Sequence, residues 1–167
     1  RATKVVQSLD QFSRTTDSFN ELCNINSILN NCIYMLKGRF GSRIEVEIAY
    51  SDKLPKVKGN ASRLHQVFFS ILVNAEEAIT DSGKITISTF SKKGWVYIQI
   101  ADNGIGISKH SLNRVTDPFY TTKDPGEGIG LGLSIAYSIV NEHGGQLSFE
   151  SEEGKGTTVT LAFPALG

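Results

Sequence analysis

Apolar residues recur at helical spacing in three stretches of the chain. The clearest stretch is residues 62–79, whose apolar face consists of Leu64, Val67, Phe68, Ile71, Leu72, Ala75, Ala78 and Ile79. Residues 28–40 repeat the pattern, and Asn26 or Ser27 is expected to cap the helix that they form. Residues 130–142 form the third stretch, which stops at a pair of glycines, as helices often do. The pattern therefore predicts three main helices.

Other segments alternate between apolar and polar residues, which is typical of strands buried on one face. Residues 44–48 alternate strictly. Residues 85–90 and 95–100 predict one hairpin, and residues 146–150 and 157–163 predict a second. Helices and strands do not alternate regularly, as they do around a parallel sheet. The sequence therefore predicts an α+β two-layer sandwich, with a mixed, mostly antiparallel sheet and about three helices on one face.

The composition is that of a globular domain, and it limits the possible partners. Of the 167 residues 40% are hydrophobic, which fits one domain of ordinary size. The 17 basic and 17 acidic side chains cancel, so no net charge favours nucleic acid or an anionic membrane. No apolar run approaches the ~20 residues of a membrane span. Cys23 and Cys32 have neither CxxC nor zinc-site spacing, which favours reduced thiols in an intracellular protein.

Four glycines occupy alternate positions that lead into the third predicted helix: Gly126, Gly128, Gly130 and Gly132. Glycine lets a ligand approach the backbone closely, and the unpaired N–H groups at a helix N-terminus favour phosphate. Taken alone, such a run is explained equally well by a flexible turn. The chain has neither a Walker A sequence nor a dinucleotide-binding fingerprint.

Three further positions carry candidate chemistry, and each also has a plainer explanation. Asp102 directly follows a predicted strand, where its carboxylate could accept from an amino group such as that of adenine, but Asp-Asn-Gly alone more often marks a simple turn. Asn74 shares a polar helix stripe with Ser70 and Glu77, and its carboxamide could bind Mg²⁺ or only a neighbouring loop. Lys123 could contact phosphate or be an ordinary surface lysine.

In their order, these motifs resemble the ATP-binding catalytic domain of bacterial sensor histidine kinases, within the superfamily that includes gyrase, Hsp90 and MutL. The resemblance covers residues 43–164 and implies the Bergerat fold. Residues 65–79 are similar to the N box and residues 102–107 to the first glycine box. Residues 117–123 are similar to the F box of nitrogen-regulation-type kinases, and residues 126–133 to the second glycine box.

The resemblance implies a role for each matching position. Asn74 would coordinate Mg²⁺, Asp102 would hold the adenine amino group, and Thr157 would support that contact. Lys123 would contact phosphate and, with Asn74, take part in catalysis. Residues 107–127 would form a lid over ATP. The other residues implied to bind the nucleotide are Glu77, Gly104, Gly106, Ile107, Thr121, Thr122, Gly128, Gly130, Leu131, Gly132 and Leu133.

The chain departs from the family pattern at three points. Ile129 stands where the second glycine box usually has threonine. Ser70 lies four residues before Asn74, where the ATP hydrolases of the superfamily have a water-activating glutamate, and serine is no base at neutral pH without a partner. None of the three histidines is followed by the acidic residue typical of a phosphoacceptor, and His143 is expected to interact with a helix C-terminus instead.

The resemblance thus implies a protein histidine kinase domain that binds Mg·ATP and phosphorylates a histidine on a dimerisation hairpin. The phosphoryl group would pass on to the receiver domain of a response regulator. Residues 1–20 would be the end of the second dimerisation helix and a linker, and residues 21–167 the catalytic domain. The domain would be cytoplasmic and part of a homodimer, with membrane anchoring of the parent left open. A nucleotide-sensing module without catalysis and an ATP hydrolase remain alternatives.

Overall fold

The computed structural model describes residues 18–108 and 131–166. The helices within these ranges are α1 (Ile25–Met35), α2 (Lys37–Phe40), α3 (Ala61–Ala78) and α4 (Leu131–Glu142). The strands are β1 (Glu21–Cys23), β2 (Ile44–Ala49), β3 (Val57–Gly59), β4 (Gly83–Lys92), β5 (Trp95–Asp102), β6 (Gln146–Glu152) and β7 (Gly156–Pro164). The three main helices and both hairpins are confirmed, with small shifts in their bounds. Within the described ranges no helix is long and apolar enough to cross a membrane.

Five strands form one sheet in the order β2-β4-β5-β7-β6. Strands β2 and β4 run parallel, whereas β4–β5, β5–β7 and β6–β7 are antiparallel pairs. The parallel pair requires a crossover connection, and α3 lies in the segment that provides it. This arrangement confirms the predicted α+β fold with a mixed, mostly antiparallel sheet.

One face of the sheet is apolar and packs against helices. The inward-facing residues of the three central strands are all buried: Ile85, Ile87, Val96, Ile98, Ile100, Val159, Leu161 and Phe163. They form a single core with the apolar residues of α1, α3 and α4. Residues of the opposite face, such as Ser88, Gln99 and Thr160, are only partly buried. Because burial of each large apolar side chain contributes about 1.5–3 kcal/mol, this interface determines the fold.

Two details of the first helix differ from the prediction. The N-cap is Asn24, whose side-chain oxygen accepts from the N–H of Ser27 at 3.1 Å, so the expected cap at Asn26 or Ser27 was wrong. The Asn26 side chain instead donates to the carbonyl oxygen of Ser51 at 3.0 Å, which ties the helix start to the loop after β2. The predicted single helix is also divided at Leu36 into α1 and α2.

A second, two-stranded sheet was not predicted. Strands β1 and β3 pair antiparallel, with Leu22 opposite Lys58. Each strand has three residues, which is too short for an alternating pattern to be recognised. Strand β3 leads directly into α3, so this small sheet brings the chain before β1 close to the start of that helix.

Candidate functional site

Asp102 ends strand β5 and continues its alternation. Ile98 and Ile100 on the same strand face are buried in the core, so the carboxylate of Asp102 faces the helical layer. Asp102 is paired with Ile85 on one side and with Thr157 on the other. Its Oδ1 accepts from the N–H of Gly104 at 2.9 Å. Strand pairing and this turn therefore hold the carboxylate in one position.

The Asp102 carboxyl is partly removed from water. Burial raises its pKa above the ordinary value, and the backbone N–H groups of Gly104 and Thr157 act against that shift. A carboxylate has about four acceptor positions, so two backbone donors do not exhaust it. The site is therefore suited to accept a hydrogen bond from a ligand.

Three groups beside Asp102 are linked through one hydroxyl, that of Ser151. The Ser151 hydroxyl donates to the carbonyl oxygen of Gly156 at 2.9 Å and accepts from the N–H of Ile107 at 2.7 Å. Ser151 Oγ also lies 2.8 Å from Thr157 Oγ1. Because Ser151 has only one proton, Thr157 is the donor in that contact. Ser151 was not predicted from the sequence, because nothing in the sequence separates this serine from other polar residues of an exposed strand.

The loop after β5 packs closely against its neighbours, and three glycines permit this. A Cβ on Gly104 would meet the backbone of Ala78 at the end of α3, and one on Gly156 would meet the Asp102 carbonyl. Gly106 has φ +74° and lies against the backbone of Glu152. From the resemblance, Gly104 and Gly106 are expected to let a nucleotide approach the backbone. The contacts give them a packing role within the domain itself.

The polar stripe of α3 lies next to this loop. Ala78, in the last turn of the helix, accepts from the N–H of Ile105 at 2.9 Å. Asn74 lies one turn earlier and is partly buried, and its carboxamide makes no hydrogen bond with another described residue. Glu77 lies 3.4 Å from Arg39, so its carboxylate is shared with a cation of α2. The structure thus brings Asp102, Gly104, Ile107 and Thr157 together beside the helix that carries Asn74.

A buried carboxylate behind the stripe was not predicted. Glu76 is buried and forms ion pairs with Arg39, at 2.7 Å, and with Arg43. Arg43 also donates to the carbonyl oxygen of Ile79 at 2.9 Å, just past the end of α3. A buried charge of this kind is retained only when it is paired. These contacts fix the C-terminal turn of α3, against which the loop after β5 packs.

Most of the other predicted site residues belong to the region between the described ranges. Thr121, Thr122, Lys123, Gly128 and Gly130 lie outside the described residues, as does most of the expected lid. The last three predicted positions, Leu131, Gly132 and Leu133, form the first turn of α4. Among the described residues no cluster of three or more His, Cys, Asp or Glu side chains could hold a metal ion.

Comparison with protein families and curated proteins gives consistent matches. The model of the family "Histidine kinase-, DNA gyrase B-, and HSP90-like ATPase" matches residues 59–167. Sensor histidine kinase ZraS of Escherichia coli K12 is 33% identical over 165 residues, which are 98% of this chain and 35% of that protein. Sporulation kinase E of Bacillus subtilis 168 is 36% identical over 143 residues, 84% of this chain and 19% of that protein. The chain thus spans about a third or less of the length of these relatives.

Solved structures have the same fold. The mycobacterial sensor histidine kinase MprB superimposes with a TM-score of 0.78 at 24% identity, over 87% of this chain and 97% of that structure. The catalytic domain of histidine kinase ThkA gives 0.78 at 26% identity, over 87% and 95%. The fold predicted from the sequence, a Bergerat-type sandwich, is confirmed by these neighbours.

Proposed function

The chain belongs to the histidine kinase-, DNA gyrase B- and HSP90-like ATPases, and from this premise we propose that it is the Mg·ATP-binding catalytic domain of a sensor histidine kinase. It would transfer the γ-phosphoryl group of ATP to a histidine on a dimerisation hairpin outside these residues. Relay to the receiver domain of a response regulator would follow. The names of ZraS and sporulation kinase E as kinases support this assignment. Since the donor is ATP, we place the domain in the cytoplasm. The homodimer is proposed from the resemblance to sensor histidine kinases alone.

The observation that carries the proposal is the position of Asp102. Its carboxylate faces the helical layer, is partly desolvated and keeps unused acceptor capacity beside Thr157. The exocyclic amino group of adenine is a donor and fits this acceptor. In the proposal Asp102 binds the amino group, and Thr157 supports that contact from the neighbouring strand.

Asn74 supports the placement of the phosphates. Its carboxamide oxygen has no hydrogen-bond donor among the described residues, and such an oxygen is a suitable ligand for Mg²⁺. Mg²⁺ keeps several waters and is shared with substrate phosphates, so one protein ligand suffices. When bound, the ion would neutralise phosphate charge. Two further points remain predictions from the resemblance. One is that phosphate is contacted by Lys123, Thr121, Thr122 and the alternating glycines, and the other is the nitrogen-regulation subgroup.

The chemistry proposed for this chain is positioning rather than proton abstraction. Ser70 lies on α3 one turn before Asn74, and a hydroxyl does not activate water as a carboxylate does. Phosphoryl transfer depends mainly on orientation and charge stabilisation, which the domain can supply to an acceptor histidine brought by another segment. This favours transfer to protein over hydrolysis.

Calorimetric titration with the magnesium complex of a non-hydrolysable ATP analogue tests the binding site. Asp102→Asn keeps an acceptor oxygen but removes its charge, which weakens the hydrogen bond to the ligand by about 1–1.5 kcal/mol, so we expect affinity to fall about 5- to 12-fold. Asn74→Ala should weaken binding about tenfold, and only when Mg²⁺ is present. Asn30→Ala, at an exposed asparagine of α1, is the matched control and should bind like the parent. Unchanged affinity in Asp102→Asn would overturn the adenine assignment.

The alternatives are separated by adding the dimerisation hairpin of the longer protein in trans with γ-labelled ATP. A kinase domain transfers label to the hairpin histidine, whereas a nucleotide-sensing module binds ATP and transfers none. Phosphate release measured beside Ser70→Glu distinguishes the hydrolase. The parent should release little phosphate. If the parent releases phosphate as fast as Ser70→Glu does, the chain is a hydrolase.

A further inference from the structure

His143, directly after α4, makes two hydrogen bonds that require a neutral imidazole. Its Nδ1 donates to the carbonyl oxygen of Ile139 at 2.8 Å, which confirms the expected interaction with a helix C-terminus. Its Nε2 accepts from the backbone N–H of Asn60 at 3.0 Å. A carbonyl can only accept and a backbone N–H can only donate, so the proton is on Nδ1. The ring is buried, and burial lowers its pKa, in agreement with this state.

Asn60, whose backbone N–H donates to His143, also contacts the start of α3 and the chain before β1. Its side-chain oxygen accepts from the N–H of Arg63 at 3.0 Å and so caps α3. Its Nδ2 donates to the carbonyl oxygen of Ser18 at 2.7 Å, in the chain before β1. Asn60 is fully buried, so these contacts are shielded from water. One residue therefore joins the start of α3, the end of α4 and the incoming chain.

Aromatic packing adds to these contacts between the start of α3, the end of α4 and the chain before β1. The ring of Phe19 lies 4.9 Å from the imidazole of His143, and the guanidinium of Arg63 lies 5.7 Å from the ring of Phe19. Gly59 leaves the space that the imidazole occupies, since a Cβ there would overlap it. The chain before β1 is thus held against the start of α3 by Asn60 and against the end of α4 by the side chain of His143.

We propose that His143 is a positioning residue that couples the nucleotide site to the chain before β1. The inference rests on the proposed function. Helix α3 carries Asn74, helix α4 begins within the second glycine box, and residues 18–20 connect the domain to the segment before it. All three meet at the contact between Asn60 and His143. Binding of Mg·ATP at Asp102 and Asn74 would therefore reduce the mobility of the chain at Phe19.

Hydrogen exchange of residues 18–23 with and without the magnesium complex of a non-hydrolysable ATP analogue tests this coupling. In the parent chain, bound nucleotide should slow exchange there at least about threefold. His143→Gln places an amide oxygen where Nε2 accepts from Asn60, so it should keep the response. His143→Asn places an amide nitrogen where Nδ1 donates but lacks the acceptor, so it should lose the response. Both variants should bind the nucleotide within about threefold of the parent.

A merely structural histidine would not separate these two variants, because each removes the same ring. Equal responses in His143→Gln and His143→Asn would overturn the inference, as would a parent that binds nucleotide without any change at residues 18–23. Failure of the parent to bind nucleotide would overturn the proposed function and the inference together. If the His143 variants do not fold, Asn60→Asp keeps an oxygen to cap α3 but loses the donor to the carbonyl oxygen of Ser18, so it should lose the response. A retained response in Asn60→Asp would contradict the coupling.

Discussion

Gly104→Ala tests how the loop after β5 is held against α3. A Cβ at this position would lie 2.6 Å from the carbonyl carbon of Ala78 and 2.9 Å from its Cβ. Carbon atoms pack best at about 3.5–4.0 Å, so the loop or the helix end must move by about 1 Å. The obstacle is backbone rather than a flexible side chain, and the ion pairs of Glu76 hold that helix turn in place. The loop is therefore expected to move.

The cost can be worked from the contacts that such a movement breaks. The hydrogen bond from Ile105 to Ala78 contributes about 0.5–1.5 kcal/mol, and overpacking adds about 1–3 kcal/mol. We expect the free energy of unfolding to fall by roughly 2–4 kcal/mol, a large share of the 5–15 kcal/mol of a typical domain. The N–H of Gly104 also holds the Asp102 carboxylate, so affinity for the ATP analogue should fall about tenfold.

Urea unfolding and calorimetry measure the two effects separately. Gly38→Ala is the matched control, because a Cβ on Gly38 in α2 meets nothing within 4 Å. Alanine in a helix is favoured over glycine by about 0.5–1 kcal/mol, so this control should be neutral or slightly more stable. If Gly104→Ala unfolds at the same urea concentration as the parent and binds nucleotide equally well, the packing argument is wrong.

Buried titratable groups permit two more predictions. Burial raises the pKa of Asp102 in the free protein, and the proposed adenine contact needs the ionised carboxylate, so affinity should fall as pH is lowered through that raised pKa. Calorimetry across this pH range should show a larger fall in affinity for the parent than for Asp102→Asn. An equal fall in the two proteins would contradict the assignment. Burial also raises the pKa of Cys23 and Cys32 to about 11. With a thiol reagent near pH 8 the folded chain should therefore react at least about 100-fold more slowly than the urea-unfolded chain, and equal rates would rule this out.

The sequence predicts the long elements well, because their patterns are repeated many times. Helix α3 shows its apolar face over 18 residues, and the strands of both hairpins alternate over seven or more. The short strands β1 and β3 have three residues each, and only their mutual pairing identifies them. The cap of α1 was misplaced for a related reason. Asn24 and Asn26 are equivalent as sequence, and a distant partner, Ser51, decides which of them caps the helix.

Candidate site residues can be recognised in the sequence where a motif includes them, and not where they act through distant contacts. Asp102 is recognisable as a candidate because a carboxylate at a strand end is followed by glycines. Glu76 was missed, since its burial depends on Arg39 and Arg43, which lie more than 30 positions earlier in the chain. Ser151 was missed because its importance comes from hydrogen bonds to Ile107 and Gly156, which only the folded hairpin provides.

The position of Asp102 also accounts for selectivity between bases under the proposed function. Strand pairing on both sides keeps the Asp102 carboxylate from turning toward solvent. In this partly buried position its negative charge is energetically unfavourable. Two backbone N–H groups offset part of that cost, and a ligand that brings a further donor offsets more. Adenine presents an amino group at this edge, whereas guanine presents a carbonyl oxygen, which would face the carboxylate as acceptor against acceptor. A rigid, partly desolvated acceptor therefore favours adenine by penalising guanine, and the pairing of β5 with β4 and β7 supplies that rigidity.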